Sequence, residues 1–277
     1  MPKLVTMLRV KNGMLFLPEW LERISALTDE CVAVDNGSTD GTFEMLREHP
    51  LVVSIDRTEG FHEGRDKQLA YVRAKERSAE WILFLDVDEI FERRLRRADL
   101  DCMMNSRRVG RYFFRLFNIV GDGTEFEAGL QRLWAASWPL RVLWRDEPRG
   151  WFNGSYIHSG LINGIGGHAS LSHHRIRHLG TLHRDYFAKK TENYLAVDPG
   201  RAPMYVRYRD EQTPLMQWRE FDEHRFAVTG LNLTLDAMFA MRYSLKAARK
   251  MVGELHCNHP ASNEATSGAE QPLERTR

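Results

Sequence analysis

The stretch Trp81-Ile82-Leu83-Phe84-Leu85-Asp86-Val87-Asp88-Glu89 decides how the chain is interpreted. Its unbroken apolar run is the pattern of a strand buried inside a parallel sheet, and it ends abruptly in acidic residues. Open α/β sheets bind their ligands at the carboxyl ends of parallel strands. Two aspartates one residue apart can hold a hard cation such as Mg²⁺ or Mn²⁺ together with its phosphate ligands. A strand that simply runs into a polar turn explains the same residues equally well.

The first ninety residues place this strand in an α/β domain. Strands are predicted at 4–10, 31–34, 51–55 and 81–85, and helices at 17–27, 42–48 and 65–77. Strands separated by helices pair in parallel through right-handed crossovers. Beyond Glu89, short strands at 112–119, 131–134 and 141–144 predict a mixed sheet. A glycine-rich loop at 160–167 follows, and then helices at 186–196 and 218–256.

Length, charge and cysteine content exclude several classes of protein. A chain of 277 residues is long enough for one large α/β domain. The net charge of +1 argues against a nucleic-acid partner. Three widely spaced cysteines, Cys31, Cys102 and Cys257, favour a reducing compartment. We find neither a secretory signal nor a run of about 18 apolar residues, so we expect a cytoplasmic location.

A second polar motif follows the second predicted strand. It reads Asp35-Asn36-Gly37-Ser38-Thr39-Asp40-Gly41-Thr42. Its carboxylates and N–H groups can bind a polar ligand, although an ordinary βα turn uses the same residue types. Because this loop and the acidic strand end follow strands separated by one βα unit, the pair is more specific than either motif alone.

In this order the motifs resemble those of the family 2 glycosyltransferases. The matching segments are Arg9-Val10-Lys11-Asn12 with Leu17-Pro18-Glu19-Trp20-Leu21, the loop 35–42, Gly64-Arg65-Asp66, and the strand end 81–89. His178, Phe187 and Lys190, followed by the segment 230–250, resemble the bacterial branch that builds lipopolysaccharide cores. The resemblance covers about residues 3–250.

The resemblance implies a GT-A fold and a complete domain plan. We expect one domain over 1–257, made of a nucleotide-binding half (1–90), an acceptor half (91–200) and C-terminal helices (201–257), with a polar, disordered tail at 258–277. The implied enzyme is a metal-dependent, inverting hexosyltransferase. Its donor would be a nucleotide-diphosphate sugar, expected to be a UDP sugar, and its acceptor a saccharide or lipid-linked glycan of the cell envelope.

The same resemblance assigns roles to individual side chains. The predicted nucleotide-sugar-binding residues are Arg9, Asp35, Arg65, Asp86 and Lys190, and the predicted ligands of Mn²⁺ or Mg²⁺ are Asp88 and His178. Asp35 would contact the base, Arg65 the base or phosphates, and Asp86 the ribose or donor sugar. Lys190 could neutralise phosphate charge, although a solvated helix face explains this lysine as well, and the metal bound by Asp88 would bridge the two phosphates. His178 is equally explained as an ordinary core or surface histidine.

The catalytic base is where this sequence departs from its relatives. The related branch often has a His-Glu pair where this chain reads Ile157-His158-Ser159-Gly160. Glu147 and Asp146 are our first candidates because they lie nearest in sequence. His158 is an alternative, and further acids are Asp122, Glu125 and Glu127 in the preceding loop. Each acid is also explained as a solvated loop residue.

Two rival functions follow from this departure and from the fold. The missing glutamate motivates a non-catalytic sugar-nucleotide or glycan-binding protein derived from such an enzyme. A sugar nucleotidyltransferase would share the α/β half, but the segment 8–13 lacks the glycine-rich turn that cradles a triphosphate.

Two groups of basic or metal-binding residue types remain. Five histidines (His168, His173, His174, His178 and His183) fit no zinc spacing, so we do not expect zinc. The arginines between 93 and 115 and the amphipathic segment 231–255 could make peripheral contact with the inner membrane surface. Solvated faces and packing on the domain explain both features as well.

Overall fold

A computed structural model describes residues 2–127, 141–155, 160, 162–199 and 215–218, all within the compact unit Met1–Asp236. The strand predicted at 131–134, most of the helix predicted at 218–256, the tail, His158 and Ser159 lie outside these residues. The described strands and helices are β1 (Leu4–Val10), α1 (Leu17–Ser25), β2 (Glu30–Asp35), α2 (Thr42–Glu48), β3 (Val52–Arg57), α3 (Glu63–Glu76), β4 (Trp81–Asp86), β5 (Glu89–Phe91), α4 (Arg97–Met104), β6 (Val109–Val120), β7 (Glu125–Glu127), β8 (Arg141–Arg145), β9 (His168–His178), α5 (Arg184–Val197) and β10 (Leu215–Gln217).

The first half is a parallel sheet in the order β3-β2-β1-β4. β1, β2 and β4 are almost entirely buried, which explains why they read as continuous apolar runs. α1 covers them with one face, on which Leu17, Trp20, Leu21 and Ile24 are buried. α1 ends two residues earlier than predicted because Leu27 already donates a turn hydrogen bond to the carbonyl of Ile24, at 2.9 Å.

The second half is mixed, as predicted. β8 lies antiparallel between β4 and β6, and β6 also pairs with β7 and β9. Glu125 and Glu127, expected in a loop, lie on β7, because Gly121 and Gly123 adopt positive φ and turn the chain back beside β6. β9 was not predicted as a strand because its buried positions include the polar residue types of Ser172 and His174.

A buried carboxylate joins the short strand β5 to β9. Glu92 is 0% exposed and accepts hydrogen bonds from Arg175, from Nη2 at 2.6 Å and from Nε at 2.9 Å. Burial on its own would raise the pKa of Glu92. His174, whose Nδ1 lies 3.8 Å from Oε1, and the charges of Arg175 and Arg94 outweigh burial and lower the pKa to about 2.

The predicted fold class is confirmed: an α/β domain whose mostly parallel, helix-flanked half continues into a mixed sheet. This is the arrangement that the GT-A resemblance implies. The strand register aligns Arg9 with Asp86 and Val10 with Asp35, so three predicted site residues lie at one edge of the sheet. None of the helices described here is long and apolar enough to cross a membrane.

Candidate active site

The acidic strand end folds back on itself instead of projecting into solvent. The N–H of Asp86, the last residue of β4, donates to Oε2 of Glu89 at 3.0 Å. The carbonyl of Asp88 accepts the N–H of Leu179 at 2.8 Å. Asp88 and Glu89 are each only 1% exposed. A solvated polar turn would leave such carboxylates in water, so their burial requires compensating partners.

The partners of Asp88 come from the second half of the domain. Its Oδ2 accepts a hydrogen bond from Lys190 Nζ at 2.6 Å and lies 3.4 Å from His178 Nε2. Glu89 pairs with His178 across β5 and β9. Potential ligand atoms of Asp88, Glu89 and His178 all lie within 4.8 Å of one another. The structure thus brings together the two predicted metal ligands and adds Glu89, whose place directly after Asp88 in the sequence was the available signal.

The Asp88 carboxyl and the Lys190 amine of this cluster stabilise each other's ionised form. Burial on its own would raise the pKa of Asp88, but the charge of Lys190 and the neighbouring imidazole of His178 outweigh burial and hold that pKa well below its usual range. Burial would lower the pKa of Lys190, but the charge of Asp88 dominates and raises it. At neutral pH the cluster therefore contains a buried carboxylate paired with an ammonium group.

The cluster fits a divalent cation. Carboxylate oxygens suit Mg²⁺ and Mn²⁺, and an imidazole nitrogen can complete the ligand set. Because Gly180 has no side chain, Asp88 and His178 can approach its backbone closely. A Cβ at this position would overlap Oδ2 of Asp88 and lie 3.0 Å from Nε2 of His178. Asp88, His178 and Glu89 are thus the residues that would hold the metal.

Unpartnered polar atoms mark the neighbouring strand ends. Asp35 is fully buried; its Oδ2 accepts the N–H of Ser38 at 3.0 Å and lies 3.4 Å from Nε of Arg57. Within the described part of the chain, Oδ1 of Asp35, Oδ1 of Asn36 and Nε of Arg9 are buried without a hydrogen-bond partner. Each such atom costs about 1–3 kcal/mol. Three of them lie on neighbouring strand ends, where a polar ligand or water could complete the hydrogen bonds.

Arg65 is engaged with the loop that precedes α3. Its Nε donates to Asp66 at 2.8 Å, and its two terminal nitrogens donate to the carbonyls of Glu59 and Gly60 at 3.0 and 2.9 Å. The buried Asp66 in turn accepts the side-chain amide of Asn36 at 3.3 Å. In this structure Arg65 therefore braces the loop beside Asn36.

One face of α5 lies along the same edge of the sheet. Tyr186, Lys190 and Tyr194 are four residues apart and share that face. The ring of Tyr186 packs edge-on against Phe16, with 4.9 Å between centroids, and that of Tyr194 against Phe61, with 6.1 Å. The two tyrosines were not among the predicted site residues, although their spacing from Lys190 on a predicted helix was a usable signal.

The structure does not bring Asp146 or Glu147 to the Asp88 cluster. The N–H of Asp146 donates to the carbonyl of Glu80, just before the amino end of β4, at 2.9 Å. The carboxyl end of β4 is about 16 Å away at 3.3 Å per residue. Oδ1 of Asp146 accepts the Tyr71 hydroxyl at 2.6 Å. We therefore do not retain these acids as the base: β8 runs antiparallel to β4 and carries them to the opposite end of the sheet.

The other candidate bases lie on or near the β6–β7 hairpin. Asp122 accepts the N–H of Thr124 at 3.0 Å within the turn, and Glu125 accepts Gln217 Nε2 at 3.1 Å. Glu127 accepts Nδ2 of Asn118 at 2.8 Å. Of these three acids, Glu127 is the one connected to the cluster, since Asn118 also contacts His178.

The segment around His158 has described neighbours on both sides. The carbonyl of Ser155 accepts the N–H of Gly64 at 3.0 Å, and the carbonyl of Gly160 accepts Lys67 Nζ at 3.3 Å. Gly64 and Lys67 belong to the first turns of α3. The described residues Ser155 and Gly160 thus lie beside the start of α3.

Comparison with known proteins gives one family match and several distant structural likenesses. The family model described as glycosyl transferase family 2 matches residues 10–97. No curated protein matches the chain. S. aureus TarS is 17% identical, with 71% of this chain and 39% of TarS covered, at a TM-score of 0.45.

Two further solved structures are similarly distant. TarS 1–349 in complex with UDP is 16% identical, with 68% of this chain and 63% of that chain covered, at a TM-score of 0.45. The mannosyltransferase PcManGT from Pyrobaculum calidifontis, in complex with GDP-Man and Mn²⁺, is also 16% identical, with 77% and 66% covered, at a TM-score of 0.45. The chain thus spans less than two thirds of both TarS chains. The segment that carries Asp35, Arg65, Asp86 and Asp88 is the one that matches glycosyl transferase family 2.

Proposed function

We propose that the chain is a metal-dependent, inverting glycosyltransferase of family 2. It would transfer a hexose from a nucleotide-diphosphate donor, in our reading a UDP sugar, to a saccharide or lipid-linked acceptor of the bacterial cell envelope. The observation that carries this proposal is the Asp88–Glu89–His178 cluster, with its two buried carboxylates, at the sheet edge that also holds the unpartnered atoms of Asp35 and Arg9. For such an acceptor we propose a cytoplasmic location with peripheral contact at the inner membrane surface.

In this proposal, different side chains bind different parts of the nucleotide-sugar donor. Asp35 offers a buried carboxylate oxygen to the donor groups of the base, and Arg9 offers an N–H from the next strand. Asp88 and His178, with Glu89, would hold Mn²⁺ or Mg²⁺, and the cation would offset negative charge on the diphosphate leaving group. Lys190 places a second positive charge within 2.6 Å of Asp88, where it can bind a phosphate oxygen.

Donor turnover tests this function. The purified protein is incubated with a panel of UDP and GDP sugars, with Mn²⁺ or with EDTA, and release of the nucleotide diphosphate is measured. We expect Mn²⁺-dependent turnover, reduced at least about 100-fold in Asp88→Asn, since a transition-state charge contact is worth about 3 kcal/mol or more. The matched control is Asp101→Asn, which removes a carboxylate from a helical ion pair with Arg97. Equal turnover in EDTA, or full turnover in Asp88→Asn, would overturn the metal assignment.

The second candidate is a sugar-nucleotide-binding protein without turnover. Two observations favour it. Lys190 already neutralises Asp88 in this structure. Among the acids that the structure describes, Asp146 and Glu147, the preferred bases, lie at the far end of the sheet. UDP binding by calorimetry without release of nucleotide from any donor would support this candidate over the enzyme.

A further inference from the structure

We propose that Asn118, oriented by Glu127, is a positioning residue that sets the tautomer of His178 and directs its Nε2 toward the cation position beside Asp88. The metal-binding part of this inference rests on the proposed function. The tautomer itself does not, because it is a property of the metal-free protein.

The three side chains form a continuous hydrogen-bonded chain across three strands. Asn118 on β6 is the register partner of His178 on β9, although sixty residues separate them in sequence. The imidazole Nδ1 lies 2.7 Å from Oδ1 of Asn118. The β6–β7 hairpin then returns Glu127 to the other end of the same amide, where Oε2 lies 2.8 Å from Nδ2.

The carboxylate fixes the direction of every bond in this chain. An ionised carboxylate only accepts hydrogen bonds, so Asn118 must turn its NH₂ group to Glu127. Its carbonyl oxygen then faces His178, and a carbonyl oxygen also only accepts. Nδ1 of His178 must therefore carry the hydrogen. A neutral imidazole has one hydrogen, which leaves a lone pair on Nε2.

Asp88 favours the opposite tautomer, with the hydrogen on Nε2, but its contact with His178 is the weaker of the two. A hydrogen on Nε2 would point at Oδ2 of Asp88, but that distance is 3.4 Å, against 2.7 Å for the contact with Asn118. The same Oδ2 already accepts Lys190 at 2.6 Å. The shorter, carboxylate-backed bond therefore prevails. The Nε2 lone pair and the Asp88 oxygen then converge on one point, as two ligands of a cation must.

Outer-shell partners of this kind alter metal affinity about 10- to 100-fold. That magnitude defines the effect expected of Asn118. Glu127, one of the acids predicted as a catalytic base, acquires a different role, because its charge orients an amide. It acts through Asn118 and His178 and contacts neither sugar nor phosphate in this role.

Long-range ¹H–¹⁵N NMR of the imidazoles tests the inference in the metal-free full chain. Spectra are recorded at about pH 8.5, two units above the ordinary histidine pKa, and His178→Gln identifies the signals. We expect a protonated Nδ1 in the wild type. In Asn118→Leu the hydrogen should move to Nε2, because Asp88 becomes the remaining acceptor. The Mn²⁺ dissociation constant, measured by electron paramagnetic resonance, should rise about 10- to 100-fold.

Two further variants show whether a change in the tautomer comes from the hydrogen-bonded chain itself or from a general disturbance of the fold near His178. Glu127→Leu should shift the tautomer in the same direction as Asn118→Leu, because it frees the amide to rotate. Thr181→Val removes a nearby hydrogen bond, 2.9 Å long, to the carbonyl of Ile119, and should leave the imidazole unchanged.

A wild-type Nε2 that carries the hydrogen would overturn the inference, as would Asn118→Leu with unchanged tautomer and unchanged Mn²⁺ affinity. A tautomer that moves as expected in a protein that binds no Mn²⁺ would support the role of Asn118 and overturn the metal part of the proposed function.

Discussion

Replacing Lys190 by methionine removes the ammonium from Asp88 and keeps an unbranched side chain that is one atom shorter. Asp88 is 1% exposed, and the Lys190 side chain retains 30% exposure. Breaking a fully buried pair costs about 3–5 kcal/mol. Because water reaches the lysine, we expect a smaller cost of about 2 kcal/mol, below that range. In EDTA, Lys190→Met should therefore unfold about 4–8 °C below the wild type.

The same substitution should strengthen binding of the metal alone. In the wild type a cation must displace the ammonium from Oδ2 of Asp88, a bond of 2.6 Å. The variant has no such bond to break, so the free energy of Mn²⁺ binding improves by up to about 2 kcal/mol, or about 30-fold in affinity. Thermal unfolding with increasing Mn²⁺ measures both effects.

Lys189→Met, on the exposed side of the same helix, is the matched control and should change stability by less than about 0.5 kcal/mol. Weaker Mn²⁺ binding by Lys190→Met, or unchanged binding despite a lower metal-free melting temperature, would refute the reasoning. Either result would mean that the cation does not take the place of the ammonium.

Three other predictions concern the site, its rejected base and the acid stability of the fold. Gly180→Ala should abolish Mn²⁺ binding in titrations followed by electron paramagnetic resonance, since its methyl group separates Asp88 from His178; wild-type affinity would contradict the packing argument. Asp146→Asn should leave donor turnover within about threefold, because it lies about 16 Å from the carboxyl end of β4; a loss above about 100-fold would restore it as a candidate base. Glu92→Gln should flatten the acid limb of the stability curve. The folded pKa of Glu92, about 2, lies below its ordinary value of 4.5, so its contribution is present above about pH 4.5 and is lost toward pH 2, amounting to about 3 kcal/mol at most. An unchanged slope in urea titrations over that range would contradict the assignment.

Local patterns were sufficient for the parallel half of the fold. β1 and α2 have the predicted bounds because a buried strand and a short helix that follows a glycine turn are each encoded within a few residues. The placement of Asp35 and Asp86 at one edge of the sheet followed as well, since parallel strands end on the same side of their sheet.

The long-range contacts could not be predicted from the same patterns. The pairing of Asn118 with His178 depends on two strands that are sixty residues apart in sequence. In addition, β9 was not recognised as a strand because polar residue types occupy some of its buried positions. Closeness in sequence to His158 favoured Asp146 as the base. The antiparallel β8 carries Asp146 to the end of the sheet opposite the acidic end of β4, so sequence distance was a poor guide.

Calorimetry of UDP binding with and without Mn²⁺ tests the central claim most directly. If Asp88 and His178 hold a cation that also binds the diphosphate, Mn²⁺ and UDP must strengthen each other's binding by the same factor. We predict a factor of at least about ten in the wild type and none in Asp88→Asn, with metal-free UDP binding retained. UDP affinity that is the same in Mn²⁺ and in EDTA would contradict the account.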